Sequence, residues 1–305
     1  MNNYQLGLIM NSCISVIGVT GVFIITSLAG MFSLGQAAFM TISAYLTFVM
    51  AKMLNLPILL TAVIGVAVSG LCAYIIAIPT LKLRKDYFAL ITMGFGEMMS
   101  SIVVMLDKYT NGSIGFSRIP KVRSIFWLII GITVFILFFA WSLKKSRFGR
   151  MCIALKTDET AAKSFGVDVY KLKMAIFIIG SCISGLAGIL YGLKNRVITP
   201  DGFSWNLSAE MQIFLFFGGT NSITGAAISG FLLKLVPEML RTVSIFGVSL
   251  QEFRTVFYCL LILLVINFRP NGMLGEKEFS YKYLAEKVYS ISKKISRKKE
   301  LSNGK

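Results

Sequence analysis

Few side chains in this sequence can do chemistry, and most of those stand inside apolar runs. Glu97 is the eleventh residue of a run that opens at Tyr87. A carboxylate at that depth of a membrane helix is costly, and by default it marks a solute or ion path. It can also serve as a hydrogen-bonding group between two helices, and both readings stand. Ser33 and Gln36 interrupt a second run, among the small residues Gly30, Gly35, Ala37, Ala38, Ser43 and Ala44. Small residues let helices approach closely. A polar interruption among them is also how a discontinuous helix exposes backbone groups to a path. A third interruption reads Phe217-Gly218-Gly219-Thr220-Asn221-Ser222, a cluster of chain breakers. Ser33, Gln36, Glu97, Gly218, Gly219 and Asn221 are therefore the candidate lining of a translocation path.

Other chemistry is excluded by what the chain lacks. It has no histidine, so no His-dependent triad can form. Its five cysteines include no Cys-x-x-Cys pair, and four of them lie inside apolar runs, where they read as small buried hydrophobes. No metal and no cofactor are expected. There is no Gly-x-x-x-x-Gly-Lys-[Ser/Thr] phosphate loop, so the chain is not expected to hydrolyse ATP itself or to be an enzyme.

The elements that must position these residues are membrane helices. Hydrophobic residues make up 55% of the 305 and charged residues only 15%, against roughly a quarter charged in soluble domains. The mean hydropathy is +0.73. Apolar blocks reach the roughly 20 residues needed to cross a bilayer. Spans are expected at 5–27, 34–52, 57–79, 87–106, 124–143, 173–193, 209–219, 223–241 and 252–268. The expected fold is all-α: a polytopic transmembrane bundle of about 8–10 membrane segments with broken or re-entrant helices. Residues 1–275 form the transmembrane domain. No cleavable signal peptide is expected, since the first block lacks a basic leader.

The net charge of +17 would suggest nucleic acid in a soluble protein. Here the charges fall between apolar blocks and act as topology signals, so no nucleic-acid partner is expected. The turn at Lys82, Arg84 and Lys85, the loop 144–173 and the tail from Arg269 hold 21 of the 31 Lys and Arg residues. The positive-inside rule puts all three in the cytoplasm, with the N-terminus outside and the C-terminus inside. Arg118, Lys121 and Arg123 fall on the other side and weaken the bias without reversing it. Parity then requires two membrane segments within 209–241. Since 209–219 is too short to cross as a straight helix, a broken or re-entrant form is expected there. The outward turn Thr110-Asn111-Gly112-Ser113 reads as a shaped loop or as a docking loop for an external partner. The tail 276–305 is either an amphipathic helix on the inner surface or a basic anchor of topology.

The inward loop 144–172 carries more structure than topology needs. Thr157 or Asp158 can cap a helix, Glu159 suits its positive end, and Gly166 can stop it. A helix of about two turns between basic flanks has the right size to fit a groove on a cytoplasmic protein.

With these motifs in order, the chain resembles the LivM-type permeases of branched-chain amino acid ABC importers over roughly residues 15–275. The resemblance rests on Ser33-Leu34-Gly35-Gln36-Ala37-Ala38-Phe39, on Asp86-Tyr87-Phe88-Ala89 with Gly94-Phe95-Gly96-Glu97, and on Thr110-Asn111-Gly112-Ser113. It continues through Ser146-Arg147-Phe148-Gly149-Arg150, Asp158-Glu159 with Ala161-Ala162 and Gly166, and Gly185-Leu186-Ala187-Gly188. Ser204 with Ser208, Gly218-Gly219, Pro237-Glu238 and Phe268-Arg269-Pro270-Asn271-Gly272-Met273-Leu274-Gly275 complete it. The resemblance implies a bacterial plasma-membrane protein that moves branched-chain amino acids by ATP-driven alternating access. It implies two ATP-binding cassette subunits, a LivH-type second permease or a second copy of this chain, and an extracellular solute-binding protein. It also implies that Asp158, Glu159, Ala161, Ala162 and Gly166 form the motif that docks on the ATPase. One departure stands out: the family's further Gly and Gly-Pro after Gly218-Gly219 are replaced by Thr220-Asn221-Ser222-Ile223-Thr224-Gly225-Ala226. That leaves open another solute, such as a different amino acid, a urea-like amide, a sugar or a nucleoside. The rival classes are an ion-coupled transporter with Glu97 as its ion site and a membrane-embedded enzyme; the second would need clustered polar catalytic residues near one face, and none are visible.

Overall fold

The computed structural model describes residues 3–239 except Arg84, Arg118, Lys121 and Arg123. Beyond Met239 it describes only 244–245, 248–249, 256, 260, 263 and 272–273. Apart from Val256, Leu260 and Leu263, the expected span at 252–268 lies outside the described residues, as does the basic tail at 276–305.

In hydrocarbon each backbone polar group needs a partner within the protein, and the helix provides one inside each segment. The apolar blocks accordingly form helices. They are α1 (Asn3–Phe23), α2 (Gln36–Leu54), α3 (Ile58–Thr80), α4 (Lys85–Met105), α5 (Asp107–Thr110), α6 (Ile125–Lys145), α7 (Arg147–Thr157), α8 (Glu159–Ser164), α9 (Val169–Asn195), α10 (Trp205–Gly218) and α11 (Ile223–Met239). Among the described residues, six helices are long and apolar enough to cross a membrane. They correspond to the first six expected spans; α11 holds a shorter apolar helix, and α10 is a further short helix.

The bundle has a centre and a rim. α1 and α9 pack against each other, with α2 on α9 and with α10 and α11 on α1. In the apolar window of α1 83% of residues are buried, against 22% in α4 and in α6. The rim turns large apolar side chains outward, among them Leu59, Met105 and Trp127, as a lipid-facing surface requires. At the centre small residues replace large ones. A Cβ on Gly188 of α9 would collide with the Met40 carbonyl oxygen of α2 and lie 2.7 Å from Met40 Cα. The two backbones touch there, which is the usual way that membrane helices gain packing without hydrophobic drive.

The two ends differ in character. α7 and α8 lie at the end where α6 finishes and α9 begins. At the other end the connection after α5 meets the connection after α9. There β1 (Phe116–Ser117) pairs antiparallel with β2 (Val197–Ile198). The Thr110–Gly115 turn is shaped as its residues dictate. Asn111 and Gly112 adopt positive φ, and Thr110 Oγ1 donates to Val103 O at 2.7 Å.

Candidate functional site

The chain breaks between α1 and α2, as the polar interruption predicts. α1 runs through a turn of π-helix (Ile24–Leu28), and residues 30–35 are not helical before α2 starts at Gln36. The start of α2 thus lies buried within the bundle and must find partners for its free N–H groups. Ser208 Oγ of α10 accepts from Ala37 N at 2.8 Å, and Thr92 Oγ1 of α4 accepts from Leu34 N at 3.1 Å. Gln36 Oε1 accepts from Ser184 Oγ of α9 at 2.8 Å. Gln212 of α10 donates to Ser33 O at 2.9 Å and to Thr26 Oγ1 at 3.1 Å. Ser33, Gln36, Thr92, Ser184, Ser208 and Gln212 are all buried. This polar layer joins four helices at the first break.

Of the sequence-derived candidates, only Ser33 and Gln36 belong to that layer. Glu97 stands elsewhere: its side chain is exposed, and Oε1 accepts the Trp205 N–H at 3.2 Å, at the first turn of α10. A carboxylate suits that positive helix end. Gly218 and Gly219 end α10, where Gly218 packs against Gly225 of α11 so closely that neither has room for a Cβ. α10 begins at Trp205, four residues before the expected segment, yet its 14 residues span only about 21 Å. Asn221 turns the corner into α11 and is held by two lysines. Lys144 Nζ, at the end of α6, donates to Asn221 O, and Lys156 Nζ of α7 donates to Asn221 Oδ1 at 2.8 Å.

Lys156 also reaches the first break. A Cβ on Gly30 would lie 3.1 Å from Lys156 Cγ. The stem of one lysine thus packs on Gly30 while its ammonium holds the corner at Asn221. Two residues further on, Asp158 caps α8 by accepting from Thr160 N at 2.8 Å and Ala161 N at 3.1 Å. Gly166 ends it with φ +78°, a left-handed conformation that costs glycine little. Gly166 N donates to Lys163 O at 2.9 Å and Val167 N to Ala162 O at 3.2 Å, the paired bonds of a glycine-terminated helix. Ala162 is buried, while Phe165 is 88% exposed. Glu159 Oε2 lies 2.7 Å from Lys173 at the foot of α9.

The expected helix is therefore present, with Asp158 rather than Thr157 as its cap. A second helix, α7, precedes it and was not foreseen. Its signal was available, since Ser146 stands three residues before Gly149, and Ser146 Oγ accepts the Gly149 N–H at 3.1 Å. Lys156, Gln212, Glu210 and Lys234 were also missed. No local pattern marks them, because each acts across helices distant in sequence. Among the described residues no group of His, Cys, Asp and Glu is placed to hold a metal ion.

The profile of the family described as "Branched-chain amino acid transport system / permease component" matches residues 4–266. The high-affinity branched-chain amino acid transport system permease protein LivM of Salmonella typhimurium is 25% identical over 287 residues, covering 83% of this chain and 66% of the relative. This chain thus spans just under two thirds of that relative's length. The probable LivM of Methanocaldococcus jannaschii is 25% identical over 79% of this chain and 74% of its own. The permease protein LivH of Escherichia coli K12 is 29% identical over 53% of this chain and 50% of its own. Among solved structures, PsaBC from Streptococcus pneumoniae in complex with Fab superposes with a TM-score of 0.53, over 89% of this chain and 94% of the other. At 18% identity that likeness concerns the fold alone. With a broken multi-helix membrane bundle and a family profile matching most of its length, the chain belongs to the branched-chain amino acid transport system permease component family.

Proposed function

We propose that this chain is a transmembrane subunit of an ATP-driven importer that moves branched-chain amino acids by alternating access. Two cassette ATPases, a LivH-type permease or a second copy of the chain, and an extracellular solute-binding protein complete the assembly. The membrane is a bacterial plasma membrane, with α7 and α8 on the cytoplasmic side and the N-terminus outside. α8, through Asp158, Glu159, Ala161, Ala162 and Gly166, docks on a cassette subunit. The observation that carries this reading is Lys156. One side chain at the base of the capped helix touches both chain breaks, so a displacement of α7 and α8 acts on both at once. The buried layer around Ser33 and Gln36 supports the break between α1 and α2 as a moving part of the path. Glu97, as a partner of the first turn of α10, aligns that helix.

The test is a cysteine at Phe165 in a cysteine-free background. An impermeant maleimide should label it in inverted vesicles and not in intact cells, and an added cassette ATPase should protect it. Labelling from outside intact cells would reverse the topology and remove the coupling role.

A further inference from the structure

α6 ends on two successive lysines that point apart. Lys144 Nζ donates to Asn221 O inside the bundle. Lys145 is exposed, and its ammonium lies 3.8 Å from the centre of the Trp141 ring. Trp141 in turn stacks on Phe138, with 6.1 Å between ring centres. Trp127, Phe135, Phe138 and Trp141 are all exposed on α6. Tryptophan toward each end of an apolar face, with phenylalanine between, is the pattern of a helix side that meets lipid and its two interfaces. α4 differs, since its exposed positions include Gly94, Glu97 and Ser101.

The chain then turns tightly onto α7. A Cβ on Gly149 would lie 2.6 Å from Lys144 O, so the start of α7 is pressed against the end of α6. α7 buries Gly149, Cys152 and Leu155 and exposes Arg147, Arg150 and Met151. Arg147 and Arg150 are three apart and so are neighbours on the helix surface. Arg150 folds back on the elbow and donates Nη1 to Lys145 O at 2.7 Å. A basic and apolar exposed side on a helix next to the end of a span suits the membrane interface. Three cations thus gather at one elbow, linked through Lys145 to a lipid-facing tryptophan.

Charge then selects the lipid. A phosphodiester headgroup with no ammonium of its own, as in phosphatidylglycerol, brings one negative charge to the patch. Arginine meets phosphate oxygens in a fork and lysine meets them as a point charge. A phosphatidylcholine headgroup carries a cation that the same patch repels. We infer that the α6–α7 elbow is a binding site for an anionic phospholipid, its phosphate held by Lys145 and Arg150 with Arg147 beside them, and its acyl chain along Phe138 and Phe135. The site lies on the helix end whose other lysine holds the corner at Asn221. It depends neither on the coupling role of α8 nor on the identity of the solute.

The test is quenching of Trp141 by brominated lipids. The chain has three tryptophans, and Trp127→Phe/Trp205→Phe leaves Trp141 alone. The full chain is placed in phosphatidylcholine vesicles doped with brominated phosphatidylglycerol or with brominated phosphatidylcholine. The anionic lipid should reach half-quenching at a mole fraction about fivefold lower. Lys145→Gln/Arg150→Gln should reduce that preference to less than about twofold, and Lys145→Arg should keep it. Lys163→Gln/Lys171→Gln removes the same charge from α8 and the start of α9. It should leave the preference unchanged, which separates a site from general attraction to a negative surface. Quenching by brominated phosphatidylcholine should be the same in every variant, as expected while α6 still faces lipid. Equal quenching by the two lipids, a Trp141 that neither lipid quenches, an equal loss in the Lys163 and Lys171 control, or displacement of the lipid by soluble glycerol 3-phosphate would overturn the inference.

Discussion

Glu159 and Lys173 join α8 to the foot of α9 through an Oε2–Nζ distance of 2.7 Å, while Lys163, one turn along α8, lies 3.3 Å from the other carboxylate oxygen. The Lys173 side chain is largely buried and that of Glu159 is 41% exposed, so the pair adds little to stability, on the order of 0.2–1 kcal/mol. Under the proposed coupling role it acts mechanically, as a tether between α8 and the membrane helix α9. Glu159→Lys should uncouple ATP hydrolysis from uptake, with transport down about tenfold and the protein still inserted. The exchanged pair Glu159→Lys/Lys173→Glu should recover much of the loss. Uptake assays in reconstituted vesicles, with ATPase measured beside them, decide the matter; full transport in the single variant removes the tether.

The same pair sets a pH dependence. The hydrogen bond from Lys173, followed by the other charges around it, holds the Glu159 carboxyl below its ordinary value even though partial burial opposes this. A depressed folded-state value means that the stabilisation is full above the ordinary carboxylate range and is lost as pH falls through the folded value. The difference in thermal stability between the parent and Glu159→Gln, about 0.5 kcal/mol near neutrality for a partly exposed pair, should therefore shrink between neutral and strongly acid pH. An undiminished difference at that pH would place the origin outside this carboxyl.

Lys156 offers a separable test, since its stem and its ammonium touch different breaks. Lys156→Met keeps the stem against Gly30 and removes the donor to Asn221 Oδ1. Asn221→Ala removes the acceptor. Each variant should reduce transport several-fold at near-normal ATPase, and the double variant should be no worse than the more damaged single one, as expected of residues acting as a unit. Strictly additive losses would show that the two act independently.

Glu97 distinguishes alignment from ion coupling. Its oxygen accepts the Trp205 N–H at 3.2 Å, and an amide oxygen can do the same. Glu97→Gln should therefore leave uptake within about twofold of the parent, whereas Glu97→Leu should lower it further and destabilise by about 0.5–1 kcal/mol, the usual worth of a group at a helix end. A collapse of transport in Glu97→Gln, with a shifted pH profile, would favour the ion-coupled alternative.

The sequence by itself determined the class of molecule, the order of its membrane helices and the position of the capped helix at Asp158–Gly166. Apolar block length, basic clusters and chain breakers act locally, within one turn or one span, so α1 through α4, α6, α9 and the Asp158–Gly166 unit were legible from residue types alone. The break near Ser33 and Gln36 was legible for the same reason. The tertiary structure decided which breaks share a neighbour and which charges meet. Ser33 meets Gln212 across 179 positions, Lys156 meets Asn221 across 65, and Glu97 meets Trp205 across 108. Contacts between spans depend on how close small residues such as Gly188 allow two helices to come and on their rotation about their axes. Neither is encoded in the periodicity of a single apolar run, where nearly every position is apolar and no face stands out.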